Sequence, residues 1–257
     1  NNMKQFTRIL LTLIASSIIA CNPSNAQQAA PAKLTLKTYS DWETTWNEST
    51  SEPEFYTLTI PDCFQKNDAV TIQLYDYSVG DSTISLIGKD GNLLTAISES
   101  VTIHEMAIRY TSVSVGDIDG NGLNDMKINF PYMGNGLMAN AKRIVYLFQN
   151  ADRTFSKVSF DSFTWKNDIM ETDADGDGKY EIVVRNIQNI DDDNYYWVEN
   201  LYKYTANGLV CVSDKNGYPK AYNVDKEKAT DAEIVAKHKK EWTVPIPDGY
   251  NFTRNNK

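Results

Sequence analysis

From Leu34 onward, apolar and polar residues alternate in short runs broken by Gly, Asn, Asp and Ser. That is the pattern of half-buried strands joined by turns. The runs predict strands over Tyr56–Ile60, Val70–Tyr75, Thr83–Ile87, Leu93–Ile97, Met106–Val113, Met126–Phe130, Arg143–Phe148, Phe155–Phe160, Ile182–Ile187, Trp197–Tyr204 and Leu209–Val212. The period lengthens only near the end, where Ile234 and Val235 give Asp231–Trp242 an apolar helical face. Thr230 or Asp231 can cap this helix, and Lys237, Lys239 and Lys240 suit its C-terminal end. Pro245 and Pro247 then stop regular structure. The expectation is a single all-β domain over residues 34–257, with the helix as a C-terminal extension that caps it.

The first residues follow another pattern. Met3 reads as the initiator, Lys4 and Arg8 as a positive segment, and Ile9 to Ile19 as an apolar run too short for a comfortable membrane span. The run closes on Ile18-Ile19-Ala20-Cys21, which resembles the lipobox of bacterial lipoproteins. The resemblance implies a signal peptide over 1–20 and lipid attachment at Cys21. An ordinary signal peptide with an incidental cysteine is the alternative. Residues 21–33 read as a flexible tether. Asn22, rather than Asp, follows the cysteine and favours the outer membrane, on its periplasmic or surface face. Cys63 and Cys211 would then remain in an oxidising compartment, where they could pair or stay as separate buried thiols.

Two glycine-rich acidic stretches punctuate the strands. Asp117-Ile118-Asp119-Gly120-Asn121-Gly122-Leu123-Asn124-Asp125 is echoed by Asp173-Ala174-Asp175-Gly176-Asp177-Gly178-Lys179-Tyr180-Glu181, and Asp125 and Glu181 lie 56 residues apart. The hairpins after them also align, turning at Ala151-Asp152 and Asn207-Gly208. A third, eroded copy lies 57 residues earlier, where only Asp62 and Asp68 keep acidic positions and the hairpin turns at Asp90-Gly91. The chain therefore reads as repeats of about 56 residues.

Oxygen-bearing side chains at relative positions 1, 3, 5 and 9, with a carbonyl at 7, supply most of the six to eight hard ligands that calcium takes. The first loop would use Asp117, Asp119, Asn121, the Leu123 carbonyl and Asp125. The second would use Asp173, Asp175, Asp177, the Lys179 carbonyl and Glu181. Asn121 removes one charge, so the first loop is expected to bind more weakly. An EF-hand is excluded, because its bidentate glutamate at position 12 is replaced by Ile128 and Val184. Loop followed by strand resembles the FG-GAP or VCBS repeat family over Val113–Ile128 and Ile169–Val184. The resemblance implies a β-propeller-like fold, partial or irregular, holding two structural calcium ions. Four blades would require Lys33–Ile60 to contribute one.

Charge narrows the partners. Lys plus Arg is 25 against Asp plus Glu 34, a net of -9. Residues 1–20 carry two positive charges and no negative ones, leaving -11 without them. Such a chain repels nucleic acid and anionic headgroups. His104 and His238 belong to no catalytic motif, and no nucleophile or phosphate-loop signature is present. Asp191-Asp192-Asp193 reads as a solvated loop, or as a recognition patch with Tyr195, Tyr196 and Trp197. The expected function is a non-enzymatic, lipid-anchored envelope module for a protein or glycan partner. Resemblance to small periplasmic lipoproteins with comparable calcium loops sharpens it to an inhibitor of peptidoglycan hydrolases or an immunity-type protein. A calcium-stabilised carbohydrate hydrolase is the competing class.

Overall fold

The structure is a computed structural model that describes residues 34–75, 82–99, 105–165, 169–191, 194–225 and 232–254. The segments expected to be a signal peptide and a tether, with Cys21, and His104, Thr230, Asp231, Asp192 and Asp193 lie outside the described residues. Strands dominate: β1 (Lys37–Tyr39), β2 (Glu43–Trp46), β3 (Pro53–Ile60), β4 (Val70–Tyr75), β5 (Ser82–Gly88), β6 (Leu93–Glu99), β7 (Ser112–Gly116), β8 (Asp125–Pro131), β9 (Ala141–Gln149), β10 (Phe155–Phe163), β11 (Glu171–Thr172), β12 (Glu181–Asp191), β13 (Asn194–Thr205), β14 (Gly208–Cys211), β15 (Lys220–Asn223) and β16 (Asn251–Thr253). Among the described residues two α-helices join them, α1 (Glu105–Ile108) and α2 (Ala232–Trp242). The protein is all-β with a C-terminal helix. No helix among the described residues is long and apolar enough to cross a membrane.

The strands form three antiparallel meanders in chain order: β2-β3-β4-β5-β6, then β7-β8-β9-β10, then β11-β12-β13-β14 with β15 beside β13. The middle sheet is completed by β1 against β7 and β16 against β10, so strands from both ends of the domain cover its edges. Apolar clusters hold the layers together. Ile72, Leu74, Ile84 and Leu86 of the first sheet pack with Val113, Met126, Ile128, Val145 and Leu147 of the middle one. The opposite side of the middle sheet sends Ile144, Tyr146, Phe148, Val158 and Phe160 against Ile182, Val184 and Tyr202 of the third. Burial on both faces explains why Ile144–Phe148 reads as a continuous apolar run, whereas Val70–Tyr75 alternates and buries one face. Each fully buried large side chain contributes about 1.5–3 kcal/mol.

The two ends of the stack differ. On the outer face of the first sheet stand polar residues such as Thr59 and Thr71, whose hydroxyls meet at 3.1 Å. The third sheet is covered by α2: Trp242, Ile234 and Val235 pack on Tyr196, Val198 and Ala221.

Buried ion pairs key the layers. Glu99 of β6 enters the middle sheet, where Lys157 Nζ, Arg143 Nε (2.8 Å) and Ser159 Oγ (2.6 Å) donate to it. Glu171 of β11 enters from the other side to Lys127 Nζ (2.7 Å) and the Tyr146 hydroxyl (2.7 Å).

One expectation needs correction, and two alternatives left open by the sequence are decided. Met106–Val113 is not a strand: Glu105–Ile108 forms a helical turn and β7 starts at Ser112. The Ala107 carbonyl accepts from the Tyr110 N–H and the Thr111 hydroxyl, closing a turn too short for periodicity to reveal. Lys33–Ile60 adds no fourth blade, because β1 joins the middle sheet while β2 and β3 join the first. The cysteines are not paired. Cys63 is a free buried thiol in the first cluster and Cys211 a free thiol against the second. Burial pushes the Cys63 thiol up to about 12, so it stays protonated and unreactive.

Candidate metal centres and an aromatic cleft

Each meander places a loop between two equivalent strands. Residues 117–124 join β7 to β8, 173–180 join β11 to β12, and 61–69 join β3 to β4. The first two close in the same way. Gly116 pairs with Asp125, and Thr172 with Glu181. At position 1, Asp117 Oδ2 accepts the Gly122 N–H at 2.9 Å and Asp173 Oδ2 the Gly178 N–H at 3.1 Å. At position 3, Asp119 Oδ1 accepts from Asn121 N and Asp175 Oδ1 from Asp177 N. At position 5, Asn121 Oδ1 accepts from Leu123 N and Asp177 Oδ1 from Lys179 N. At position 9, Asp125 Oδ2 accepts from Ile118 N and Glu181 Oε2 from Ala174 N. The wrapping requires glycine at positions 4 and 6, where φ is +72° and +83° in one loop and +75° and +80° in the other.

These bonds draw the predicted ligands together. Asp117, Asp119 and Asp125 each bring a carboxylate oxygen within 4.8 Å of the others, as do Asp173, Asp175 and Asp177. In both loops the same atom is left over. Asp117 Oδ1 and Asp173 Oδ1 are buried without a hydrogen-bond partner among the described residues. A buried acceptor so exposed to penalty calls for a cation. The acids also feel one another: burial pushes the Asp125 carboxyl up to about 7, and the Asp119 charge adds to it. The β9 backbone completes the first loop, with Gln149 N donating to Asp125 Oδ1 and its carbonyl accepting from Asn121 Nδ2.

The eroded loop is closed differently. Asp68 is buried, and Arg153, from the turn between β9 and β10, donates to its Oδ2 at 2.7 Å while stacking on Phe64. The three loops form one row. Asn124 Nδ2 donates to the Cys63 carbonyl on one side, and Tyr180 N donates to the Ile118 carbonyl on the other. At Gly120 a Cβ would lie 2.9 Å from Lys179 Cγ and 3.1 Å from the Gly178 carbonyl, so the two acidic loops touch.

Away from the loops, where β9 begins and β10 ends, lies an open cleft of about 470 Å³. Trp165, Arg185, Trp197, Glu199 and Tyr222 line it. The Arg185 guanidinium lies 4.1 Å over Trp165 and binds Glu199 Oε1 at 2.7 Å. Trp165 meets Trp197 edge-on at 5.3 Å and remains 39% exposed. Of the aromatic group proposed from sequence, Trp197 reaches this cleft and Tyr196 packs under α2 instead. Trp165, Arg185 and Glu199 carried no sequence signal: Arg185 and Glu199 pair across β12 and β13, and Trp165 reaches them from just beyond the end of β10 in the middle sheet.

No protein-family model, curated protein or solved structure matches this chain. The resemblance to calcium-loop repeats thus rests on the loops themselves. His238 is a helix residue stacked on Trp242 and 3.3 Å from Glu241.

Proposed function

We propose that this protein is a non-enzymatic, lipid-anchored module of the bacterial envelope. Its propeller-like β domain is stiffened by calcium and offers the aromatic cleft to a protein or glycan partner. The observation that carries the metal reading is the matching pair of orphaned oxygens, Asp117 Oδ1 and Asp173 Oδ1, each in a loop shaped by the same bonds. Asp117, Asp119, Asn121, the Leu123 carbonyl and Asp125 would hold one ion; Asp173, Asp175, Asp177, the Lys179 carbonyl and Glu181 the other. Bound calcium neutralises carboxylates that otherwise repel. The row of touching loops passes that rigidity from sheet to sheet.

The partner side rests on the cleft. Trp165 is a half-exposed indole held in place by a guanidinium, an edge of rigid apolar surface beside fixed polar groups. A net charge of -11 beyond residue 20 suits a basic partner such as a peptidoglycan hydrolase.

Melting with and without chelator tests the metal. At 100-fold excess over Kd each site adds about 2.7 kcal/mol, some 5–10 °C for a domain of this size. Equal melting temperatures, with no calcium heat by calorimetry, sink that part. Capture from envelope extract tests the cleft: a stoichiometric partner lost on Trp165→Ala supports the module, and turnover of a glycan panel replaces it with a hydrolase.

A further inference from the structure

The two acidic loops share their carboxylate bonds but not their cation environment. Lys203, on β13, reaches into the second loop. Its Nζ lies 2.8 Å from Asp175 Oδ2, 2.7 Å from Asp177 Oδ2 and 3.2 Å from Glu181 Oε1. The Glu181 side chain is 1% exposed, and apart from the ammonium its Oε1 has no hydrogen-bond partner among the described residues. The ammonium therefore stands over a buried, under-satisfied oxygen that an ion in this loop would claim. Three carboxylates outweigh its loss of water and hold the Lys203 ammonium well above the usual lysine range.

Strand register locates the counterpart in the first loop. Met126 pairs with Leu147 as Ile182 pairs with Tyr202, so Phe148 stands where Lys203 does. Phe148 stacks on Tyr204 at 3.6 Å and offers no charge. Among the described residues, no ammonium or guanidinium lies within 4.0 Å of the Asp117, Asp119 or Asp125 carboxylates. In the eroded loop, Arg153 on Asp68 shows the same device carried further.

We infer that Lys203 is a tethered counter-ion that competes with calcium for the second loop, so that the first loop fills at lower calcium. This rests on the calcium reading above. Charge count alone ranks the first loop weaker, because of Asn121; the ammonium reverses that order. To bind, an ion in the second loop must break three contacts and push the ammonium aside, or share the loop with a like charge a few ångströms away. Such a charge beside a divalent ion is worth about tenfold or more in affinity, even with full water screening. The second loop is then a late-filling site, closed by the protein's own cation at low calcium and opened at high calcium.

Calorimetric titration of the metal-free protein with calcium chloride provides the test. Asp117→Asn disables the first loop so that the second is read alone. In that background, Lys203→Met, which keeps the aliphatic stem, should tighten calcium binding about tenfold or more. Lys203→Arg, which keeps the charge, should leave it near the parent. An unchanged affinity for Lys203→Met overturns the role of Lys203 while leaving calcium binding intact. Absence of calcium heat in the unaltered protein overturns both.

Discussion

Replacing Glu99 by leucine tests how the layers are locked. The Glu99 side chain is 1% exposed, and Lys157 and Arg143, its partners across the interface, are each 3% exposed. The substitution leaves both cations buried. Arg143 keeps Asp161 Oδ1, Ser159 Oγ and the Gly249 carbonyl. Among the described residues, Lys157 keeps only a long contact, 3.4 Å, to the Ser98 carbonyl. The damage should therefore fall on Lys157. Removing one partner of a buried pair costs about 3–5 kcal/mol, a drop of roughly 6–20 °C in Tm for a domain of this size. Chemical denaturation and thermal melting followed by circular dichroism read it directly. The double variant Glu99→Leu with Lys157→Met removes the stranded ammonium and should recover more than half of the loss. A single variant within about 1 kcal/mol of the parent, or a double variant no better than the single, would refute the reasoning.

Three further outcomes follow from the same geometry. Burial alone would raise the Glu99 carboxyl, but bonds from Lys157 and Ser159 and the charges of Lys157 and Arg143 hold it below its usual 4.5. A lowered native value contributes stability above the unfolded pKa and loses it as pH falls, so acid unfolding below about pH 4.5 should flatten in Glu99→Gln. Gly120→Ala forces a Cβ against Lys179 and the Gly178 carbonyl at a φ of +72°, and should cost about 1–3 kcal/mol and weaken calcium binding at both loops. Trp242→Ala empties the contact between α2 and the third sheet, and should cost about 3–5 kcal/mol while increasing binding of an apolar dye.

Local signals carried most of the fold. Val70–Tyr75 was predicted to the residue, because alternation and one-sided burial are the same fact seen twice. The position of the acidic loops was equally plain, since glycine at positions 4 and 6 is demanded by backbone angles and no other pattern competes. The strands Lys37–Tyr39, Glu43–Trp46, Glu171–Thr172, Lys220–Asn223 and Asn251–Thr253 were missed. They are two to four residues long, too short for alternation to show, and each pairs with one neighbouring strand only. Lys203 was missed for a different reason. Its partners lie 22 to 28 positions earlier, and only the alignment of its hairpin with that of Phe148 could have singled it out. The cleft was illegible, because Trp165 and Arg185 come from different sheets.

Layered meanders carry a hazard that rings avoid. A ring of blades ends by meeting itself, whereas an open pile exposes two terminal faces, and each can accept another copy. Here one face mixes threonines with the half-buried Phe55, Tyr75 and Ile87, and the other lies under Trp242. The middle sheet ends on β1 and β16, strands of three residues each that offer foreign strands little backbone to pair with. Read this way, the C-terminal helix and the two short marginal strands are terminators.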